Sequence, residues 1–105
     1  MPNPPLTEGV YYILLSLLEP LHGYGIIQNV EKLSGGRVRL AAGTLYGAIN
    51  TLVEKGWIIA LEGEADSRKK EYRITETGLS VLKNEVQRLR ELLENGNRIL
   101  GGDQV

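Results

Sequence analysis

The stretch over residues 40–57 shows the clearest division between hydrophobic and polar positions in the chain. Its apolar positions recur at helical spacing and are Leu45, Ile49, Leu52 and Val53. The remaining positions carry small or hydrogen-bonding side chains, namely Thr44, Tyr46, Gly47, Asn50 and Thr51. This pattern predicts a helix that ends near Gly56 and packs through one face. The other face lacks the Glu and Lys side chains of an ordinary solvated helix, and a DNA major groove would accept it.

Two further helices are predicted before this stretch. The first spans about residues 7–19, has Thr7 as its N-cap and carries the apolar positions Val10, Ile13, Leu14, Leu17 and Leu18. The second follows His22 and carries Ile26, Ile27, Val30 and Leu33, after which two consecutive glycines end it. Basic and apolar residues then alternate over 37–40, which predicts a very short strand.

A β-hairpin is predicted after the third helix. Residues 57–62 are rich in strand-forming side chains, and residues 71–75 alternate polar and apolar positions. The connecting residues 63–70 are mostly charged, and they form a loop longer than the about two to five residues usual in a compact hairpin. A connection of this length and charge is typical of a functional or a mobile loop.

The last predicted helix starts near Glu76, with Thr75 as its N-cap. Its apolar or small positions follow one another in alternate steps of three and four residues and are Leu79, Leu82, Val86, Leu89, Leu93, Gly96 and Leu100. This is the heptad spacing with which two helices pack side by side, so it predicts dimerisation through this helix. Tyr11 and Tyr12 lie opposite the core positions of the first helix, where a partner subunit would cover them.

The order of these elements predicts an α+β fold that is mostly helical. Residues 6–75 would form a winged helix-turn-helix, in which the third helix enters the major groove and the hairpin tip lies over the DNA backbone. Residues 76–100 would form a C-terminal dimerisation helix that packs with the first helix.

Composition excludes most enzyme classes. The 105 residues include no cysteine and a single histidine, so we expect no disulfide, thiolate nucleophile, metal site or cofactor. His22 is interpreted as a structural residue at the start of the second helix. The chain shows neither a secretion signal nor an apolar run of about 20 residues, so a cytoplasmic location without membrane attachment is expected. Net charge is −1, with a small basic surplus over residues 37–73.

Four short motifs in this order resemble the PadR family of bacterial transcriptional regulators, over roughly residues 6–95. They are Leu21-His22-Gly23-Tyr24-Gly25-Ile26, Gly43-Thr44-Leu45-Tyr46, Leu52-Val53-Glu54-Lys55-Gly56-Trp57-Ile58 and Lys70-Glu71-Tyr72-Arg73-Ile74-Thr75-Glu76-Thr77-Gly78. The resemblance implies a homodimeric winged-helix repressor of the shorter-tailed type, without enzymatic activity. It also implies control by a small-molecule effector or by a neighbouring signal.

Two groups of residues are candidates for contact with double-stranded DNA. The resemblance implies that Thr44 and Tyr46 approach the DNA, and Asn50, one turn further on, could pair with an adenine edge. Gly47 departs from the larger or basic side chain that family members often carry there. The predicted wing offers a hydroxyl and three cations for phosphate contacts, from Ser67, Arg68, Lys69 and Lys70.

Two functions are consistent with these features. The first is a repressor that binds an inverted-repeat operator as a homodimer. The third helix of each subunit would read one half-site, and a dyad would relate the two. The second is a winged-helix module that binds another protein and no DNA, which the negative net charge supports. A salt-sensitive gel shift separates the two hypotheses.

Overall fold

The computed structural model describes residues 4–62 and 70–101. These residues form α1 (Glu8–Ser16), β1 (Leu21–His22), α2 (Gly23–Leu33), α3 (Ala42–Glu54), β2 (Ile58–Leu61), β3 (Glu71–Ile74) and α4 (Glu76–Leu100). Four helices with a small three-stranded sheet confirm the predicted fold class, a mostly helical winged helix. Among the helices described, none combines the length and the apolar character needed to cross a membrane.

Hydrogen-bonding side chains start three of the four described helices. Thr7 accepts the N–H of Val10 at 3.2 Å, and Thr75 accepts the N–H of Gly78 at 3.0 Å, so both predicted N-caps are confirmed. His22 caps α2, with its Nδ1 atom accepting the N–H of Gly25 at 3.1 Å. The single histidine thus has a structural role, as its place in the sequence indicated.

The sheet has the order β1-β3-β2, with both pairs antiparallel. The prediction of a strand over residues 37–40 is wrong. The third strand of the sheet is instead β1, which pairs with Tyr72 and Glu71 of β3. Local bonds explain the difference. Ser34 Oγ accepts the N–H of Val38 at 2.9 Å, so this backbone closes a turn after α2 and does not enter the sheet.

The core lies between the three helices of the helix-turn-helix and the sheet. Its most deeply buried side chains are Ile13, Leu14, Leu17, Ile26, Val30, Leu45, Ile49 and Ile58. Three apolar positions assigned to helix faces are more exposed than expected. Leu33 is 48% exposed at the last residue of α2. Leu18 is 51% exposed because α1 ends at Ser16, and Val53 is 40% exposed because it lies one residue beyond Leu52, on the flank of the buried arc.

The beginning of α4 belongs to the same core. Val81 and Leu82 are buried there, and α4 packs against α1. Glu85 is also buried, and its carboxylate accepts the backbone N–H of Leu6 at 3.2 Å and two hydrogen bonds from Arg88, at 2.9 and 2.6 Å. The segment before α1 is therefore fixed to α4, and the helix leaves the core only after this point.

Candidate nucleic-acid interface

Burial of one face of α3 turns the opposite face towards solvent. Leu45, Ile49 and Leu52 are 0–2% exposed and fix the rotation of the helix about its axis. The positions predicted to face outward are all exposed, and they are Thr44, Tyr46, Gly47, Asn50 and Thr51. The structure therefore places the three candidate contacts of this helix, Thr44, Tyr46 and Asn50, on one accessible surface.

The N-terminus of α3 has no side-chain cap. Its N-cap residue is Ala41, no acidic residue lies in its first turn, and the space around Gly43 is open. The first amide groups of a helix lack partners within the helix, and together with the helix dipole they favour an anion. An acceptor from another molecule, such as a DNA phosphate, can approach these amides without displacing a side chain.

Tyr46 does not point straight out of α3. Its side chain is 44% exposed, and its ring leans back so that the hydroxyl end lies against Gly23 at the start of α2. Tyr72 of β3 is a buried neighbour. Burial, with a smaller contribution from Tyr46, raises the pKa of Tyr72 above its ordinary value. The sequence carries no signal for this arrangement, because Gly23 and Tyr72 belong to two separate motifs.

Asn50 and Thr51 differ in how their polar groups are used. Thr51 donates its hydroxyl to the backbone carbonyl of Gly47 at 3.2 Å, within its own helix. Asn50 is exposed one turn beyond Tyr46. Of these two neighbours, Asn50 is the better placed to offer a donor and an acceptor to a base edge.

The two arginines before α3 are paired with acidic groups. Arg37 lies 2.7 Å from Glu8, and this hydrogen-bonded partner raises the pKa of Arg37. Arg39 lies 3.6 Å from Glu31 in a longer, exposed pair. Such pairs reduce the positive potential beside α3, so the basic surplus counted in the sequence overstates the charge available to DNA.

Only one of the four candidate wing residues is described. Lys70 is exposed directly before β3, whereas Ser67, Arg68 and Lys69 lie outside the described residues. The antiparallel pairing of β2 with β3, from Ile58 opposite Ile74 to Leu61 opposite Glu71, brings the two ends of the predicted wing together. The role of all four residues stays a prediction.

The candidate dimer residues divide into two groups. Leu82 is 3% exposed and Leu79 is half-buried, so both pack within a single chain, whereas Val86, Leu89 and Leu93 are 37%, 38% and 62% exposed. Leu92, Ile99 and Leu100 extend the exposed apolar surface of α4. Tyr11 and Tyr12 are half-buried on α1, with ring centroids 5.7 Å apart in an edge-to-face arrangement.

The arrangement of α2, α3 and the β2–β3 hairpin defines a winged helix-turn-helix protein. A family model described as the transcriptional regulator PadR-like family matches residues 13–84. The chain therefore belongs to the PadR-like family of transcriptional regulators, which is not a family of enzymes.

Solved structures agree with this assignment. A PadR family transcriptional regulator from Eggerthella lenta superposes with a TM-score of 0.71 at 27% identity, covering 88% of this chain and 80% of the other. A PadR family transcription regulator from Clostridium difficile superposes with a TM-score of 0.68 at 26% identity, covering 88% of this chain and 98% of the other. A transcriptional regulator from Clostridium thermocellum superposes with a TM-score of 0.69 at 25% identity, covering 89% of this chain and 91% of the other.

A curated relative is much longer than this chain. An uncharacterized 37.1 kDa protein in transposon TN4556 of Streptomyces fradiae is 36% identical over 73 residues. The match covers 70% of this chain but only 20% of that protein, so the chain spans about a fifth of its length.

Proposed function

We propose that this chain binds double-stranded DNA as a homodimer and represses transcription from an inverted-repeat operator. The observation that carries the proposal is the exposed face of α3, where Thr44, Tyr46 and Asn50 lie together behind an uncapped helix N-terminus. A helix of this kind fits the major groove, with its first amides near the backbone and its outer side chains near the backbone or the base edges.

The homodimer is supported by the apolar surface of α4. Val86, Leu89 and Leu93 continue the heptad series beyond the point where Leu82 enters the core of its own chain. A second copy of α4 would cover these side chains through a self-complementary contact. Two copies of α3 would then read half-sites about 34 Å apart.

The wing is proposed to hold the DNA backbone. Lys70 is exposed at its base, and Ser67, Arg68 and Lys69 precede it in sequence. Phosphate contacts by cations release counterions, so a number Z of such contacts gives a log-log salt slope of about −0.9Z. Binding that weakens steeply with salt is therefore expected.

A small-molecule effector completes the proposal. A cleft of about 630 Å³ lies beside α4, between Leu6 of the lead-in segment and Val81, Glu85 and Arg88 of the helix. A compound bound here would contact both the segment before α1 and the helix that carries the dimer surface. Because α4 also carries the proposed dimer surface, we propose that a compound bound here changes the relative position of the two α3 helices.

A gel shift on the DNA upstream of the gene tests the proposal. The wild-type chain should shift this DNA, and replacing Tyr46 and Arg68 together by alanine should weaken the shift while light scattering still shows a dimer. Lys83→Ala, an exposed cation on α4, serves as the control and should bind as the wild type does. Unchanged affinity of the double variant would remove both assigned roles.

The second candidate function is a winged-helix module that binds another protein. The net charge of −1 and the pairing of Arg37 and Arg39 with glutamates favour it. Absence of any salt-sensitive shift, with the dimer intact, would decide for this alternative.

A further inference from the structure

The contact between Gly23 and Tyr46 joins the start of α2 to α3, the helix proposed to enter the major groove. Gly23 is the first residue of α2 and is buried. A Cβ atom built on it would lie 2.8 Å from Cζ of Tyr46 and closer still to the hydroxyl oxygen. The ring of Tyr46 therefore occupies the space that any other residue at position 23 would need.

Backbone conformation does not require glycine at this position. Gly23 has no positive φ, unlike Gly35, Gly36, Gly56 and Gly101. Within a helix, alanine is more favourable than glycine because it loses less conformational freedom on folding. The reason for a glycine here is thus the neighbouring tyrosine ring.

We propose that Gly23 is a positioning residue of the DNA interface, which lets Tyr46 lie across the start of α2 and directs its hydroxyl to the sugar-phosphate backbone. The inference rests on the proposed DNA-binding function and specifies the role of Tyr46 within it. In a helix-turn-helix the second helix enters the groove while the first crosses the backbone. In this chain those two helices are α3 and α2. The Tyr46 hydroxyl, held at the start of α2, would therefore lie on the side of the DNA backbone, away from the base edges.

A double-mutant cycle on thermal stability tests the contact without DNA. Gly23→Ala should change the Tm less favourably in the wild-type chain, where the added methyl group displaces the Tyr46 ring, than in the Tyr46→Ala background, where that space is open. Gly25→Ala is the matched control, since a Cβ there meets Leu21 at 3.2 Å and not Tyr46, so its effect should be equal in both backgrounds. An equal effect of Gly23→Ala in both backgrounds, whatever its sign, would overturn the proposal.

DNA binding tests the assigned role at a temperature where every variant is folded. The probes are a duplex from the gene's own upstream region and an unrelated duplex of equal length. Gly23→Ala and Tyr46→Phe should each weaken binding to both duplexes by the same factor, about tenfold for each subunit, because a contact to a charged phosphate is lost. The salt slope should not change, since a neutral hydroxyl releases no counterion.

The outcomes separate the two levels of the proposal. A loss confined to the upstream duplex would assign Tyr46 to a base edge and overturn the backbone role. A further loss from Gly23→Ala in the Tyr46→Ala background would show that Gly23 acts independently of Tyr46, which also overturns it. If the wild type shifts neither duplex, the proposed function fails and the backbone role with it, while the stability cycle still decides the contact.

Discussion

The backbone carbonyl of Trp57 lies so close to Gly78 that no Cβ atom fits between them. The same carbonyl accepts the N–H of Thr75 at 2.9 Å. Thr75 also donates its hydroxyl to the carbonyl of Gly56 at 2.7 Å and accepts the N–H of Gly78 at 3.0 Å. The end of α3, the start of β2 and the start of α4 are thus tied together through backbone groups.

Replacing Gly78 by alanine should therefore destabilise the protein. The added methyl group collides with backbone atoms, which cannot move without breaking the Thr75 hydrogen bonds, so we expect a loss of about 1–3 kcal/mol. Gly47→Ala is the control, because this helical glycine has open space around it. Alanine there should raise the free energy of unfolding by at most about 1 kcal/mol. Urea denaturation measures both changes, and equal effects at the two glycines would contradict the steric argument.

Glu85 fixes the segment before α1 to α4 and makes stability depend on acid pH. Hydrogen bonds from Arg88 lower the pKa of Glu85, against the opposing effect of burial, and the N–H of Leu6 lowers it further. A carboxylate with a depressed pKa contributes stability above its unfolded value of about 4.3, and that contribution is lost as pH falls through the folded value.

Glu85→Gln should reduce the free energy of unfolding at pH 7 by about 1.5 kcal/mol, because charge-assisted hydrogen bonds to Arg88 are lost. The difference from wild type should shrink as pH falls below about 4. Thermal unfolding across this range measures it, with Glu91→Gln, an exposed position of the same helix, as the control. A difference that stays constant with pH would rule out the carboxylate as its source.

The sequence was sufficient to predict the fold where local chemistry decides it. Thr7 and Thr75 are good N-caps in any context, and the spacing of Leu45, Ile49 and Leu52 sets the buried side of α3. The strand predicted over residues 37–40 failed because alternation of four residues is a weak signal, and pairing depends on a distant partner. β3 pairs with Leu21 and His22 of β1 instead.

The candidate site was predictable as a surface but not as a geometry. Exposure of Thr44, Tyr46 and Asn50 follows from helical periodicity alone. The packing of Tyr46 on Gly23 could not be predicted, because it depends on how α2 and α3 cross. Likewise, heptad spacing does not distinguish Leu82, which packs inside its own chain, from Leu89, which is left exposed.

A charge in the exposed part of the heptad series should separate the proposed dimer. Leu89 is 38% exposed in a single chain, so Leu89→Glu should spare the monomer core and place two carboxylates opposite each other in the dimer. Asn84→Glu adds the same charge at an exposed position outside the heptad series and should leave assembly unchanged. Light scattering reports the mass, and a Leu89→Glu variant that remains dimeric would refute the α4 interface.

Asn50 should determine sequence preference, and Thr51 should not. If the exposed amide of Asn50 pairs with an adenine edge, Asn50→Ala should reduce the preference for operator over unrelated DNA by about 1–3 kcal/mol per half-site. Thr51→Ala is the matched control on the next residue, because its hydroxyl already bonds to Gly47 within α3. Competition gel shifts at fixed salt concentration measure the preference. Equal preference in wild type and Asn50→Ala would exclude Asn50 as a base-reading residue, whereas a loss in Thr51→Ala would show that this hydroxyl leaves its helix to contact DNA.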